Sequence, residues 1–348
     1  MPKRALFVFD WQRLTEQHFR FVEDQAARYD ELIFLIDRPD ERMAPAMAVK
    51  QLSCGSLLEL LNGTLSTRLN KPFYILPVAG KALPNLYYWL RCKMLCPPIE
   101  QVYIDQQDLL APILSILKTP VEIVEIVNAG SGRSLFMEDI IKEILFHRSH
   151  RKGLVGWLNQ TGENFAEPGE ASDDWKPTSR GLFITRAQPW HLGHAAFIEQ
   201  MKEEVEEVIV VLAMANKSHQ PTDIATAGER MEMVLPWLHE NLPGRFYLVP
   251  MPYSDFTMEN IYELAYLLPS FQQVYTSNPT IEAMAVTAGY AIRSLQKPIA
   301  ASGTMIRDCI RNDQPYQEHL PETIYHYLQG SAIPERLKKI HERENRLE

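Results

Sequence analysis

The chain has 348 residues, of which 46% are hydrophobic and 23% charged, a composition that builds packed cores and excludes a mainly disordered polypeptide. Its length is more than one ordinary domain holds and points to two. A formal net charge of -9 excludes a nucleic-acid binder that relies on neutralising phosphates, although a local cluster of Arg and His can still hold a small anion.

The first apolar stretch, Ala5 to Phe9, is cut by Asp10 and is too short for a signal peptide, so it reads as a strand. A polar turn, an amphipathic helix through Arg28 and the apolar run Leu32–Ile36 complete a βαβ pattern. Cys54, Cys92, Cys96 and Cys309 are too few and too scattered for a disulfide framework, which implies a reducing, cytoplasmic setting. Cys92 and Cys96 read as core thiols of a helix, since nothing nearby completes a zinc ligand set; no metal site is predicted. The basic stretch His147 to Lys152, with His150 inside it, reads as solvated, and Ser131-Gly132-Arg133 as a helix start. From Asn159 to Arg180 the chain carries Gly162, Pro168, Gly169, Pro177 and five acids, with little to bury. These features set the expected boundaries: a domain over 1–146, a linker over 147–179 and a second domain over 180–348.

Beyond the linker the βαβ pattern returns as Gly181–Thr185, a turn, a helix through Glu204 and Val208–Met214. The longest apolar run, Val208 to Ala215, is far below the roughly 20 residues of a membrane span, so no membrane partner is expected. An offset of 176 residues pairs Leu6 with Leu182, Phe7 with Phe183, Gln12 with Gln188, His18 with His194, Phe21 with Phe197 and Glu23 with Glu199. The expected fold class is therefore α/β: two tandem domains from one duplication, each a parallel sheet flanked by helices.

The sharpest chemical signal is Arg186-Ala187-Gln188-Pro189-Trp190-His191-Leu192-Gly193-His194, placed after a strand and opening a helix. Backbone amides and a helix N-terminus there favour an anion, Gly193 allows close approach, and two His and an Arg supply donors. Downstream, Ser302-Gly303-Thr304-Met305-Ile306-Arg307 offers a capped helix whose first turn carries Arg307, a second phosphate cradle facing the first. Thr226-Ala227-Gly228-Glu229-Arg230 reads as a third helix start, a cap with a surface or intradomain ion pair. The charged C-terminal run from Glu335 reads as an exposed helix with i, i+4 pairs.

Residues 180 to 341 resemble the archaeal-type nicotinamide-nucleotide adenylyltransferases of the His-x-Gly-His nucleotidyltransferase superfamily, whose domains are Rossmann-like. The likeness runs in order through Arg186, Gln188-Pro189, His191, Gly193-His194, Ser218-His219, Thr226 to Arg230, Pro250, Pro252, Asp255, Asn260, Val274-Tyr275, Asn278-Pro279, Ser302-Gly303-Thr304, Ile306-Arg307 and Glu335-Arg336-Leu337. Thr185, where a Gly is usual, and Thr276-Ser277-Asn278, in place of Ser-Gly-Asn, depart from the pattern. The resemblance implies transfer of the adenylyl group of ATP, with Mg²⁺, to nicotinamide mononucleotide, yielding NAD and pyrophosphate. It implies catalytic roles for His191, His194 and Arg307, ATP contacts from Arg186, Gln188, Gly193, Ser302, Gly303 and Thr304, and mononucleotide contacts from Asp255, Asn260 and Asn278. Nicotinic acid mononucleotide or another phosphorylated acceptor stays open, as do a non-catalytic NAD sensor and a homo-oligomer.

A mononucleotide phosphate is largely dianionic at neutral pH, because its second pKa is about 6, and needs no general base. What the reaction requires is positioning and cationic stabilisation, which is the inventory found. In the first half, Asp10 replaces the Arg, Thr15 the first His and Gln17 the Gly; Asp10 and Glu16 put negative charge where triphosphate would lie, and Ala44-Pro45-Ala46-Met47 is the nearest counterpart of the Gly-Glu-Arg segment. That half is expected to be a degenerate copy without transferase activity, serving as a packing partner or as a regulatory ligand site.

Overall fold

The computed structural model describes residues 2–9, 16–38, 54–79, 95–105, 120–124, 178–251, 264, 267–296 and 299–344. Contacts divide them into two compact units, each around its own sheet. Asp10 to Thr15, Ala44 to Met47, Cys92, Ser131 to Arg133, His147 to Lys152, Pro252, Asp255, Asn260 and the linker from Asn159 to Pro177 lie outside the described residues.

The first unit runs β1 (Arg4–Val8), α1 (Glu16–Ala26), β2 (Glu31–Arg38), α2 (Cys54–Arg68), β3 (Phe73–Ala79), β4 (Gln101–Ile104) and β5 (Val121–Ile123). The strands lie in the order β3-β2-β1-β4-β5, every pair parallel. Such strands are covered on both faces, which is why β1 is a continuous run of buried residues and not an alternating one. α1 turns His18, Phe19, Val22 and Ala26 into the core and ends at Ala26, two residues before the expected Arg28.

The second unit runs β6 (Arg180–Thr185), α3 (Leu192–Glu204), β7 (Glu207–Leu212), α4 (Ala227–Asn241), β8 (Phe246–Pro250), β9 (Gln273–Tyr275), α5 (Pro279–Thr287), β10 (Ala291–Arg293), α6 (Gly303–Arg311), α7 (Glu322–Gly330) and α8 (Ile333–Glu344). Its parallel order β8-β7-β6-β9-β10 is that of the first sheet strand for strand. The registers agree as well: Arg4 lies opposite Glu31 as Arg180 lies opposite Glu207, and Phe7 opposite Tyr103 as Phe183 opposite Tyr275.

Each sheet also buries the same trio. Arg4 Nε donates to Glu31 Oε2 at 2.5 Å and Tyr74 OH to the same oxygen at 2.5 Å; Arg180 Nε donates to Glu207 Oε2 at 2.5 Å and Tyr247 OH to it at 3.3 Å. A buried guanidinium needs such a charged, hydrogen-bonded partner. Its presence at the same register in both sheets shows that the halves share one plan. Among the described residues no helix is long and apolar enough to cross a membrane.

In both sheets the chain reverses its winding between the first strand and the fourth, and in such sheets the crevice for ligands opens at the carboxyl ends of those two strands. In the second unit those are β6 and β9.

Candidate active site

Leaving β6, the chain turns through Arg186 to Trp190 and enters α3, whose N-cap is His191. His191 Nδ1 accepts the Gly193 N–H at 3.1 Å, and His194 Nδ1 accepts the His191 N–H at 3.2 Å. This is a capping box assembled from two imidazoles, and the three-residue spacing of the histidines is the N-cap to N3 spacing such a box requires. The rings stack with centroids 3.6 Å apart. A Cβ at Gly193 would stand 3.0 Å from the His191 ring and 3.2 Å from the Ala301 carbonyl, tight enough that one of them would have to shift, so a glycine suits the position.

Because each Nδ1 faces an amide, the hydrogen of each neutral ring sits on Nε2. Burial, with a smaller contribution from the Arg307 charge, pulls His191 down to about 4. Burial, then the neighbouring His191, pushes His194 well below its usual value. Both rings are neutral donors at pH 7.

The opposite wall is the N-terminus of α6. Ser302 caps it by accepting the Met305 N–H at 3.2 Å, and a Cβ at Gly303 would come within 2.9 Å of the Gln188 carbonyl. Arg307 donates through Nη1 to that carbonyl at 2.7 Å and through Nη2 to Thr304 Oγ1 at 3.0 Å. It opens the second turn of α6, one turn later than the sequence suggested. The histidine turn and the arginine helix thus border one cavity of about 680 Å³, lined also by Thr276, Ser277 and Asn278 beyond the end of β9. Asn278 caps α5, its side chain accepting the Thr280 N–H at 2.9 Å.

Arg186 is half-exposed at the cavity and its guanidinium is gripped by the buried Asp223 carboxylate, with Nε 3.1 Å from Oδ1 and a second contact from Nη2 to Oδ2. The side-chain amide of Gln188 is engaged at both ends by Ala225, its Nε2 donating to the carbonyl and its Oε1 accepting the N–H, each at 3.0 Å. That ties the turn to the start of α4, and the Gln188 carbonyl serves Arg307. Among the described residues no group of three or more His, Cys, Asp or Glu side chains is arranged to hold a metal ion.

At the head of α4, Thr226 and Glu229 form a capping box, and Arg336 on α8 clasps Glu229 with two contacts of 2.7 Å, the intradomain ion pair expected. Arg230 differs from that expectation. It is fully buried and donates to the carbonyls of Arg186 at 2.8 Å, Ala213 at 2.7 Å and Met214 at 3.1 Å, fastening the carboxyl ends of β6 and β7 together. Asp223 and the fastening role of Arg230 escaped the sequence reading. Their partners are 37 residues away or are backbone atoms, and neither leaves a local pattern.

A cytidylyltransferase-like family model matches residues 182–246. The nicotinamide-nucleotide adenylyltransferase of Methanosarcina barkeri is 33% identical over 171 residues, covering 97% of that protein and 48% of this chain, in its C-terminal half. The chain belongs to the nicotinamide-nucleotide adenylyltransferase family. The enzymes of that name from Methanothrix thermoacetophila and Pyrococcus horikoshii are 32% and 31% identical, over 95% and 88% of their lengths and 46% of this chain in each case. A solved bifunctional NMN adenylyltransferase/ADP ribose pyrophosphatase from Francisella tularensis aligns with a TM-score of 0.41 and 12% identity, over 47% of this chain and 53% of that one.

The first unit departs from the adenylyltransferase half at the matching position. At the 176-residue offset Phe9 replaces Thr185, and its ring meets the buried His18 edge-on at 5.4 Å. His18 Nε2 lies 3.6 Å from Asp105 Oδ2. Glu16, at the start of α1, pairs with Arg68 of α2 at 2.7 Å. Where the adenylyltransferase half has a polar opening, this unit has an aromatic ring and an acid.

Proposed function

We propose that the second unit joins ATP, carrying Mg²⁺ as part of the substrate, to nicotinamide mononucleotide. A phosphate oxygen of the mononucleotide attacks the ATP α-phosphorus, the bond from that phosphorus to the oxygen bridging to the β-phosphate breaks, and pyrophosphate leaves with the electron pair. The observation that carries this reading is that the paired histidine cap and Arg307 border the same cavity at the switch point of a parallel sheet. His191 Nε2–H, the Arg186 and Arg307 guanidinium groups, and the N-termini of α3 and α6 with Ser302, Gly303 and Thr304 would hold the phosphates. His194 stands behind them and Asn278 on the mononucleotide side, with Asp255 and Asn260 proposed as its partners there.

Donors fixed by the fold before substrate arrives need no rearrangement as charge builds at the α-phosphate and on the leaving group, which is how such a site lowers a barrier. Metal carried with ATP would share that neutralisation. The free thiols of Cys96 and Cys309 suit the cytoplasmic setting proposed.

We further propose that residues 1–146 form a domain that does not carry the transfer, joined through 147–179 to the catalytic domain 180–348, and that it acts as a packing partner. Phe9 and Asp105 beside His18 support this: they put apolar bulk and negative charge where phosphate would need room and donors. Pyrophosphate release from ATP, assayed on the full chain with a panel of mononucleotides including the amide and the acid, tests the reading. It predicts release with nicotinamide mononucleotide, and none with any mononucleotide would overturn it.

A further inference from the structure

Thr185, the last residue of β6, is buried and is one of the residues that line the cavity. Its Oγ1 accepts the Ala187 N–H at 3.1 Å, and Ala187 itself takes a left-handed conformation (φ 48°) in the turn that follows the strand. The same Oγ1 lies 2.8 Å from His194 Nε2. Because His194 Nδ1 faces the His191 N–H, the ring hydrogen is on Nε2 and points at the threonine oxygen.

A hydroxyl has two lone pairs and one hydrogen. Here both lone pairs are engaged by donors that the fold fixes. The hydrogen remains, and among the described residues no acceptor receives it. The oxygen cannot rotate its hydrogen toward either donor, so the O–H bond points away from both, in a residue that lines the cavity. Threonine's branched Cβ narrows the choice of χ1 and holds this arrangement more firmly than serine would.

We propose that Thr185 is a further catalytic residue, donating a hydrogen bond from its hydroxyl to a phosphate oxygen of ATP while His194, behind it, holds the hydroxyl in line. This rests on the ATP reading above. Two donors directed at one oxygen also polarise its O–H bond and strengthen the hydrogen bond it makes to an anion. In the first unit the counterpart is Phe9, which has no hydroxyl, and there His18 faces Asp105 instead.

The test compares full-length wild type with Thr185→Val, which keeps the shape and removes the hydroxyl, and Thr185→Ser, which keeps the hydroxyl. ATP, Mg²⁺ and nicotinamide mononucleotide are the substrates, pyrophosphate release is the readout, and thermal melts check folding. Thr185→Val should lower kcat/KM for ATP by roughly 10–10², the loss of one hydrogen bond to a charged group. The mononucleotide KM should stay within about twofold, and Thr185→Ser within about threefold of wild type on every constant. If the valine variant melts early, Thr185→Ala takes its place with the same expectation.

A valine variant as fast as an active wild type would overturn the donor role and leave the enzyme reading intact. So would equal losses in the valine and serine variants, or KM values for both substrates rising together. A wild type that releases no pyrophosphate would instead fail the enzyme reading itself.

Discussion

His191 and His194 cap one helix end for each other: the first ring takes the amide of Gly193, the second takes the amide of His191, and the rings lie 3.6 Å apart. Neither can be removed without disturbing the other. His194→Ala deletes the acceptor that orients the His191 backbone and the imidazole behind Thr185. It should lower kcat by roughly 10²–10³, the order of losing a preorganised donor, because both groups it holds, His191 and Thr185, are then released. The fold should survive with a loss of about 1 kcal/mol, the worth of one cap. Pyrophosphate release and urea titration measure the two effects, and a near-normal rate would refute the assignment.

Arg307→Lys tests the opposite wall. The guanidinium spans the Gln188 carbonyl and Thr304 Oγ1 at once, which one ammonium cannot reproduce. The helix N-terminus would then drift from the histidine turn. Steady-state kinetics should show kcat/KM for ATP lower by roughly 10–10², equivalent to about 1.4–2.7 kcal/mol. Equal turnover by the lysine variant would count against the contact.

Asp223→Asn addresses how Arg186 is aimed. The carboxylate is buried and holds the guanidinium by two contacts, so the amide leaves a cation without its counter-charge at the cavity. ATP binding should suffer more than turnover at saturation, giving a higher KM for ATP with a smaller change in kcat. An unchanged KM would show that Arg186 aims itself.

Much of this architecture was legible because it is written in local periodicity. The apolar runs from Ala5 and Gly181 became β1 and β6, and the 176-residue offset reappeared as identical register in the two sheets. The His-x-Gly-His spacing was legible for the same reason, since a cap and its N3 partner are fixed by helix geometry alone. Asp223 was not, because nothing in Pro221-Thr222-Asp223 says that its charge will lie buried against Arg186 once β6 and the segment before α4 meet. The place of Arg230 is illegible for a related reason. A guanidinium satisfied by carbonyls looks, in sequence, like one facing water.

Arg230 therefore supplies a stability prediction. Its charge is satisfied by the carbonyl oxygens of Arg186, Ala213 and Met214, and burial pulls its pKa down to about 10. Arg230→Met fills the volume and takes their donor from the Arg186 and Ala213 oxygens, while the Met214 oxygen keeps the Lys217 N–H at 3.0 Å. Each buried unsatisfied group costs about 1–3 kcal/mol, so a total near 3 kcal/mol is expected, read from the urea midpoint. A shift below about 1 kcal/mol would mean that other donors replace it.

The last prediction concerns pH. His191 titrates near 4 in the folded chain, against 6.5 for an unperturbed ring, because burial and the Arg307 charge disfavour its cation. Between those two values the unfolded chain binds the proton and the folded one does not. Stability rises with pH wherever the unfolded state holds more protons, so this contribution is complete above about 6.5 and is lost as the pH falls toward 4. The slope over that window is at most about 1.4 kcal/mol per pH unit for one such group. Carboxylates titrating at the lower end add their own dependence, so the measurement is the difference between wild type and His191→Gln. Urea titrations at several pH values from 7.5 down to 4.5 should give two curves that converge as the pH falls. Curves that stay parallel would show that the imidazole keeps its ordinary affinity for a proton, and the neutral-donor role given to His191 at the phosphate site would fall with it.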